Sequence, residues 1–254
     1  MFGGMAMGPL TVTFTGHSGF LLDTGSHALL FDLYRDEAGV LEGGLPHGGD
    51  GAVFISHSHN DHFNPAVIGL GIPGKTVFVA DSGVRIKQTA CTVHKVVPYE
   101  TLDLGWGKVR TFGSTDEGCS FLVDADGWSI FHAGDLNDWY WTEESTPWEL
   151  EDDEARFLKE LERIKGNIID VAFFPVDQRL GRDANRGAVL FARTVGPHRL
   201  FPMHMNGVLD PSRLKEEMAN EGIATELVYL HNQGERTTLE KKRKEEAMRK
   251  EDGR

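Results

Sequence analysis

An α/β architecture of the α+β kind, with two β-sheets face to face and helices outside, is expected from three features of this 254-residue chain. Strand-like apolar runs crowd the first half, whereas strand and helix alternate in the second, an order that fits layered sheets with helices packed on them. Apolar runs recur along the whole chain at 40% hydrophobic residues, enough for one sizeable core. Neither an internal repeat nor a linker interrupts them, so a single domain over residues 10–239 is expected, after a Gly- and Met-rich leader at 1–9 and before a charged tail at 240–254.

The elements follow in order. Residues 11–15, 19–23 and 28–32 read as strands, the last two separated by a Gly25-Ser26 turn. The Gly-rich stretch 39–51 reads as an exposed loop, and 52–55 as a short buried strand. Asn64-Pro65 has the form of a helix start, with asparagine as cap and proline in the first turn. Strands are expected at 76–80, 92–97 and 109–113, then a hairpin pairing 119–124 with 128–132 across Ala125-Asp126-Gly127. Thr146-Pro147-Trp148-Glu149 is a capping box opening a helix through Leu158, Leu161 and Ile164 that stops at Gly166. Strand 168–175 with helix 184–195, strand 199–203 with helix 211–220, and a last strand at 225–230 complete the order. The tail at 240–254 reads as a solvated, fraying helix.

The formal charge of −13 argues against a nucleic-acid partner, because an acidic surface repels phosphate backbones. The first nine residues lack the basic and apolar regions of an export signal, and no apolar stretch is long enough to cross a bilayer. No membrane partner and a cytoplasmic setting are therefore expected. Cys91 and Cys119 sit in apolar stretches and read as buried thiols, with a single disulfide as the alternative.

Chemistry concentrates in His57-Ser58-His59-Asn60-Asp61-His62, directly after an expected strand. Imidazole nitrogens and carboxylate oxygens suit zinc and similar ions. Residues two apart in an extended segment point the same way, so His57 and His59 can grip one ion. Asp61 and His62 can face a second as the chain turns.

This run resembles the His-x-His-x-Asp-His hallmark of the metallo-β-lactamase superfamily, and the resemblance extends over nearly the whole chain. It implies a four-layer αβ/βα sandwich of two mixed sheets. Asp32, in Leu30-Phe31-Asp32, matches the family's early aspartate, which would hold a ligand histidine rather than touch metal. Asp135, in His132-Ala133-Gly134-Asp135, matches its bridging aspartate, and His204, in Phe201-Pro202-Met203-His204, its late histidine. Gly16-His17-Ser18 resembles the subgroup that includes L-ascorbate-6-phosphate lactonase. His17 and His132 are expected to support the site from behind the ligands. The chain departs from the family at Gly113-Ser114-Thr115-Asp116-Glu117-Gly118, where another histidine is usual. Asp116 is the first choice to replace it, with Ser114, Thr115, Glu117 or a water as alternatives.

The resemblance implies a hydrolase with two divalent ions sharing Asp135, zinc by the histidines, manganese or iron if an oxygen replaces the missing imidazole. Asp61 would both bind metal and orient the attacking water. Trp139 and Asn137, in Asp135-Leu136-Asn137-Asp138-Trp139-Tyr140-Trp141, are candidates to wall a substrate pocket, and Arg179 to bind an anionic group. The expected substrate is a small ester, lactone, amide or phosphodiester. Alternatives are a non-catalytic metal- or ligand-binding protein and a nuclease. The sequence leaves the oligomeric state open, so association with further copies is an open expectation. Five further histidines, His27, His47, His94, His198 and His231, match nothing in the family and are expected in ordinary surface or core roles.

Overall fold

The computed structural model describes residues 8–241. Most of the expected leader (1–7) and tail (242–254) lies outside the described residues. Strands β1 (Leu10–Gly16), β2 (Gly19–Asp23), β3 (Ala28–Phe31), β4 (Gly51–Ile55), β5 (Thr76–Asp81) and β6 (Thr92–Val96) build the first sheet. β7 (Thr101–Asp103), β8 (Gly107–Phe112), β9 (Ser120–Ala125) and β10 (Trp128–His132) begin the second. Helix α1 (Pro147–Ile164), β11 (Val171–Pro175), α2 (Arg186–Val195), β12 (Arg199–Met203), α3 (Pro211–Asn220) and β13 (Glu226–Leu227) follow, and β14 (Arg236–Leu239) returns to the first sheet.

Each sheet has seven strands, ordered β14-β1-β2-β3-β4-β5-β6 and β13-β12-β11-β10-β9-β8-β7. Both are mixed. β3 to β6 run parallel in one, β10 to β13 in the other, and antiparallel hairpins complete each. The carboxyl ends of parallel strands are where open α/β sheets place their ligands, and this fold brings two such edges together.

Strand alternation explains the layers. In β3, Leu29 and Phe31 join the core between the sheets, while Ala28 and Leu30 join a second cluster on the far side with Leu33, Leu41, Val53, Phe78 and Val67. Aromatic rings seal the inner seam, with Phe20 and Phe173 centroids 4.2 Å apart and Phe54 and Phe121 5.4 Å apart. Helices α1 and α2 cover the second sheet through Phe157, Leu161, Ile164 and Phe191. The first sheet is covered on its outer face by loops and short 3-10 turns rather than by long helices.

The capping box is formed: Glu149 Oε2 accepts from the Thr146 N–H at 2.7 Å, and Thr146 Oγ1 accepts from the Glu149 N–H at 3.4 Å. Such a cap contributes about 1 kcal/mol. The inward row of α1 is Phe157, Leu161 and Ile164, at i, i+4 and i+7, so Leu158 lies outside it and is exposed. The hairpin of β9 and β10 closes over Asp126 and Gly127, both at positive φ, as a tight two-residue turn requires.

Other expectations need correction. The start at Asn64-Pro65 is right in its cap, Asn64 accepting from the Ala66 N–H at 3.0 Å, but opens only a 3-10 segment at Pro65–Leu70. β11 begins at Val171 because Ile168 points into solvent and the Asp170 carboxylate takes the Ser129 N–H at 2.9 Å. The last expected strand shrinks to Glu226–Leu227. β7 and β14 were not anticipated: both are edge strands of mostly polar, exposed residues, without an apolar alternation to read. Both cysteines are free and buried. Among the described residues, no helix is long and apolar enough to cross a membrane.

Candidate metal centre

The His57–His62 run leaves the end of β4 in a tight turn, with the N–H groups of His62 and Phe63 donating to the His59 carbonyl at 3.0 and 2.9 Å. Behind it, buried Asp32 at the end of β3 organises the rings. Its Oδ1 accepts from the Ser56 N–H at 2.8 Å, and its Oδ2 accepts from Ser56 Oγ at 2.6 Å and from His62 Nδ1 at 2.8 Å. Ser56 Oγ, having given its proton to Asp32, accepts from His57 Nδ1 at 2.9 Å. Each Nδ1 is held as a donor, so each Nε2 faces the cleft and is the atom that a cation would take up once it has no proton.

The second sheet supplies the opposite wall. Asp135 follows β10 through Gly134, whose φ of 54° is left-handed and where a Cβ would meet that of Ser56 at 2.8 Å. Only glycine lets the two strand ends approach so closely. Gly118, also at positive φ, is held the same way, since a Cβ there would collide with the Ser56 carbonyl. His204 follows β12, and buried Asp177 at the end of β11 accepts from its Nδ1 at 3.1 Å. Asp177 thus does for His204 what Asp32 does for His62.

The Nε2 atoms and carboxylates converge. His62 Nε2 lies 3.0 Å from Asp135 Oδ1, His204 Nε2 3.5 Å from the same oxygen, and His57 Nε2 3.4 Å from Asp135 Oδ2. Asp61 Oδ2 lies 3.2 Å from His17 Nε2 and 3.9 Å from His204 Nε2. Three overlapping groups have ligand atoms within 4.8 Å of one another: His17, Asp61, His62 and His204; His57, His62 and Asp135; and His59, Asp116 and Asp135. Buried His17 Nε2, His62 Nε2 and Asp135 Oδ1 make no hydrogen bond of acceptable geometry. Buried polar atoms are seldom left without a partner. Imidazole and carboxylate atoms at these separations fit a divalent cation between them.

The electrostatics agree. Burial opposes a charge on His62, but the Asp135 and Asp32 carboxylates outweigh it and raise its pKa to about 10. Burial also opposes ionisation of Asp135, yet His62 and the neighbouring histidines hold it well below the usual carboxylate range. Asp61 is held low by its contact with His17, against the effect of burial. Burial pushes His57 down, keeping its lone pair available. The cleft calls for positive charge.

The remaining candidates are placed variously. His59 is half exposed, with Nδ1 3.8 Å from Asp116 Oδ2 and Nε2 3.6 Å from Glu117 Oε2. Of the alternatives to Asp116, the Thr115 hydroxyl is spent on the backbone, donating to the Asn137 carbonyl at 2.6 Å and accepting from its N–H at 3.0 Å. Ser114 Oγ accepts from the Asp116 N–H at 3.2 Å. His132 is buried behind the site: Nε2 donates to the Ser18 carbonyl at 2.8 Å and Nδ1 accepts from the Gly134 N–H at 3.2 Å, which makes it a neutral tie between the sheets. Burial lowers its pKa accordingly. His17 lies beside Asp61, His62 and His204, with its Nε2 within 4.8 Å of a ligand atom of each.

Trp139 stands at the cleft, its ring 5.6 Å from that of His204 and its Nε1 donating to the Asp135 carbonyl at 3.0 Å. Trp141 stacks beyond it at 6.3 Å, and the Arg179 guanidinium lies 5.6 Å from the Trp141 ring. Arg179 also engages Asp177 through Nε and Nη2, at 3.0 to 3.1 Å and 2.5 Å. Asn137 is a correction: it is buried, with its side chain against Gly187 of α2, and forms no part of a pocket wall. His27, His47, His198 and His231 pair with Asp126, Asp23, Asp170 and Tyr229 away from the cleft. Sequence reasoning missed Ser56 and Asp177; a carboxylate directly after a buried strand, as at Asp32 and Asp135, was the available signal for Asp177.

Residues 11–147 match the model of the beta-lactamase superfamily domain. The chain belongs to this superfamily. Among curated proteins, a UPF0173 metal-dependent hydrolase from Heliobacterium modesticaldum is 26% identical over 217 residues, covering 78% of this chain and 83% of the relative. Another from Opitutus terrae is 26% identical over 243 residues, covering 84% and 94%. Among solved structures, a metallo hydrolase from Ignicoccus hospitalis superposes with a TM-score of 0.67 at 19% identity, covering 92% of this chain and all, 100%, of the other. The superfamily fold accounts for the parallel strand ends that meet at the cleft, and for the early aspartate, the histidine run, the Gly-Asp pair and the late histidine arriving there from separate strands.

Proposed function

We propose that this superfamily member is a metal-dependent hydrolase of small molecules, with residues 10–239 acting as one catalytic unit. One observation carries the reading: buried His62 Nε2 faces buried Asp135 Oδ1 and buried His17 Nε2 faces Asp61 Oδ2, and none of the three buried atoms makes a hydrogen bond of good geometry. The naming of two relatives as metal-dependent hydrolases supports it. The residues to hold cations are His57, His59, Asp61, His62, Asp116, Asp135 and His204. Their imidazoles favour zinc, while the carboxylates at the outer position admit manganese or iron. When bound, such ions supply Lewis-acid polarisation and a water of lowered pKa.

The chain's own residues supply the rest. Asp61, partly exposed and held ionised, would accept a hydrogen bond from the attacking water and orient it. Asp32 and Asp177 keep Nδ1 of His62 and His204 protonated, so their Nε2 atoms stay directed at the cleft. Trp139 and Trp141 form an apolar wall that positions substrate and limits water. Arg179, beside Trp141, offers a cation to an anionic substrate group. A small ester, lactone, amide or phosphodiester carrying a negative charge is the class this arrangement suits best.

The test is metal removal and restoration. Protein stripped by a chelator should lose turnover on a panel of such substrates and regain it with zinc, manganese or iron. Tight metal binding without turnover on any substrate would instead make the chain a binding protein, and absence of bound metal would remove the reading altogether.

A further inference from the structure

The turn between β1 and β2 is more constrained than a hairpin tip needs to be. Its Ser18 carbonyl takes the His132 Nε2 proton at 2.8 Å, and its His17 carbonyl takes the His204 N–H at 3.0 Å. Both His17 and His204 have left-handed backbones, at φ of 54° and 53°. Left-handed conformations are costly for residues other than glycine and persist where the surroundings enforce them. Here the enforced geometry sets the His17 ring 4.2 Å from that of His204 and edge-on to His62 at 5.5 Å.

Resting on the metal-dependent reading above, we propose that His17 is itself a ligand of the inner metal ion. Its Nε2 is buried, lies 3.2 Å from Asp61 Oδ2, and makes no hydrogen bond of acceptable geometry. In the metal-free protein this atom lies against Asp61 Oδ2, the contact that holds Asp61 ionised, without meeting it in good hydrogen-bond geometry. His17 Nε2 and the ligand atoms of Asp61, His62 and His204 all lie within 4.8 Å of one another, a spacing that one cation could fill. Asp135 Oδ1 lies beside two members of that group, 3.0 Å from His62 Nε2 and 3.5 Å from His204 Nε2. The inner position thus gains an imidazole while the outer one, between His57, His59, Asp116 and Asp135, has an exposed carboxylate where a third imidazole would sit. His17 therefore makes the two positions unequal, and the inner ion the tighter of the pair.

The experiment uses the full chain and cobalt(II) as probe, followed by its ligand-field absorption and by equilibrium titration. Stripped wild-type protein should fill in two separated steps. In His17→Ala, shown folded by circular dichroism, the first step should weaken by roughly 100-fold with a changed spectrum, and the second should not move. A first step of unchanged affinity and spectrum would overturn the proposal while leaving the hydrolase reading intact. A second measurement avoids the variant: in wild-type protein with nitrogen-15 histidine, one equivalent of zinc should shift Nε2 of His17 together with those of His62 and His204. A His17 resonance that stays in place overturns the proposal. Failure of the wild type to bind either ion overturns both.

Discussion

The inner and outer halves of the cleft use the same residue types under different conditions. His62 has no exposed side-chain surface and is fixed by Asp32, and His204 is fixed by Asp177. His59 and Asp116 are 43% and 48% exposed and touch each other only loosely. Buried charges must be paired, hydrogen-bonded or bound to metal, whereas exposed ones can turn to water. Precise aim therefore comes from the carboxylates behind the imidazoles and from exclusion of water, and adaptability from their absence.

Asp135 is the sharpest probe of that contrast, because it alone faces both halves. Asp135→Ala should cost both ions and at least about 1,000-fold in kcat, read by metal analysis and turnover. Retention of the inner ion at full occupancy would show that the halves do not depend on this bridge.

Removing an aiming carboxylate comes next. Asp177→Asn should weaken the inner ion by about 10- to 100-fold and leave the outer ion nearly untouched, whereas Asp32→Asn, which frees both His62 and the Ser56 hydroxyl that orients His57, should weaken both. Equal losses at the two positions in Asp177→Asn would erase the distinction.

The halves should also differ in their response to pH. The pKa of His62 is raised from about 6.5 to about 10. In stripped protein His62 therefore keeps its proton from neutrality to near that value, and a cation must displace it. Inner affinity should rise with pH across this window by up to about tenfold per unit, with proton release visible when titrations in buffers of different ionisation heat are compared. An inner affinity independent of pH from 7 to 9 would contradict this. The smallest effect is expected from Asp116→Ala, less than about tenfold on turnover at saturating metal, with loss confined to the outer ion.

How much could be read from the chain follows the same division. The candidate ligands at 57–62 are adjacent, so their chemistry is visible without a fold. Asp135 and His204 carry meaning only through family resemblance, since a lone Gly-Asp or a histidine after a strand is otherwise unremarkable. Asp177 stayed hidden because its role depends on β11 lying beside β12, a pairing that local sequence does not state. His17 can be flagged from Gly16-His17-Ser18, but its distance from His62 and His204 depends on a left-handed backbone that local sequence does not state. Likewise the capping box of α1 was legible as a local pattern, whereas the polar edge strand β14 acquires its meaning only by pairing with β1.

The glycine-enforced approach of the strand ends has a bearing on biosynthesis. Ligands from opposite halves of the chain meet across that seam, so a polypeptide still on the ribosome displays the 57–62 imidazoles well before His204 has been made. Chains arrested ahead of β12 should retain no cation after gel filtration. Loading would then wait for the last stage of maturation, when β12 docks and His204 reaches the cleft.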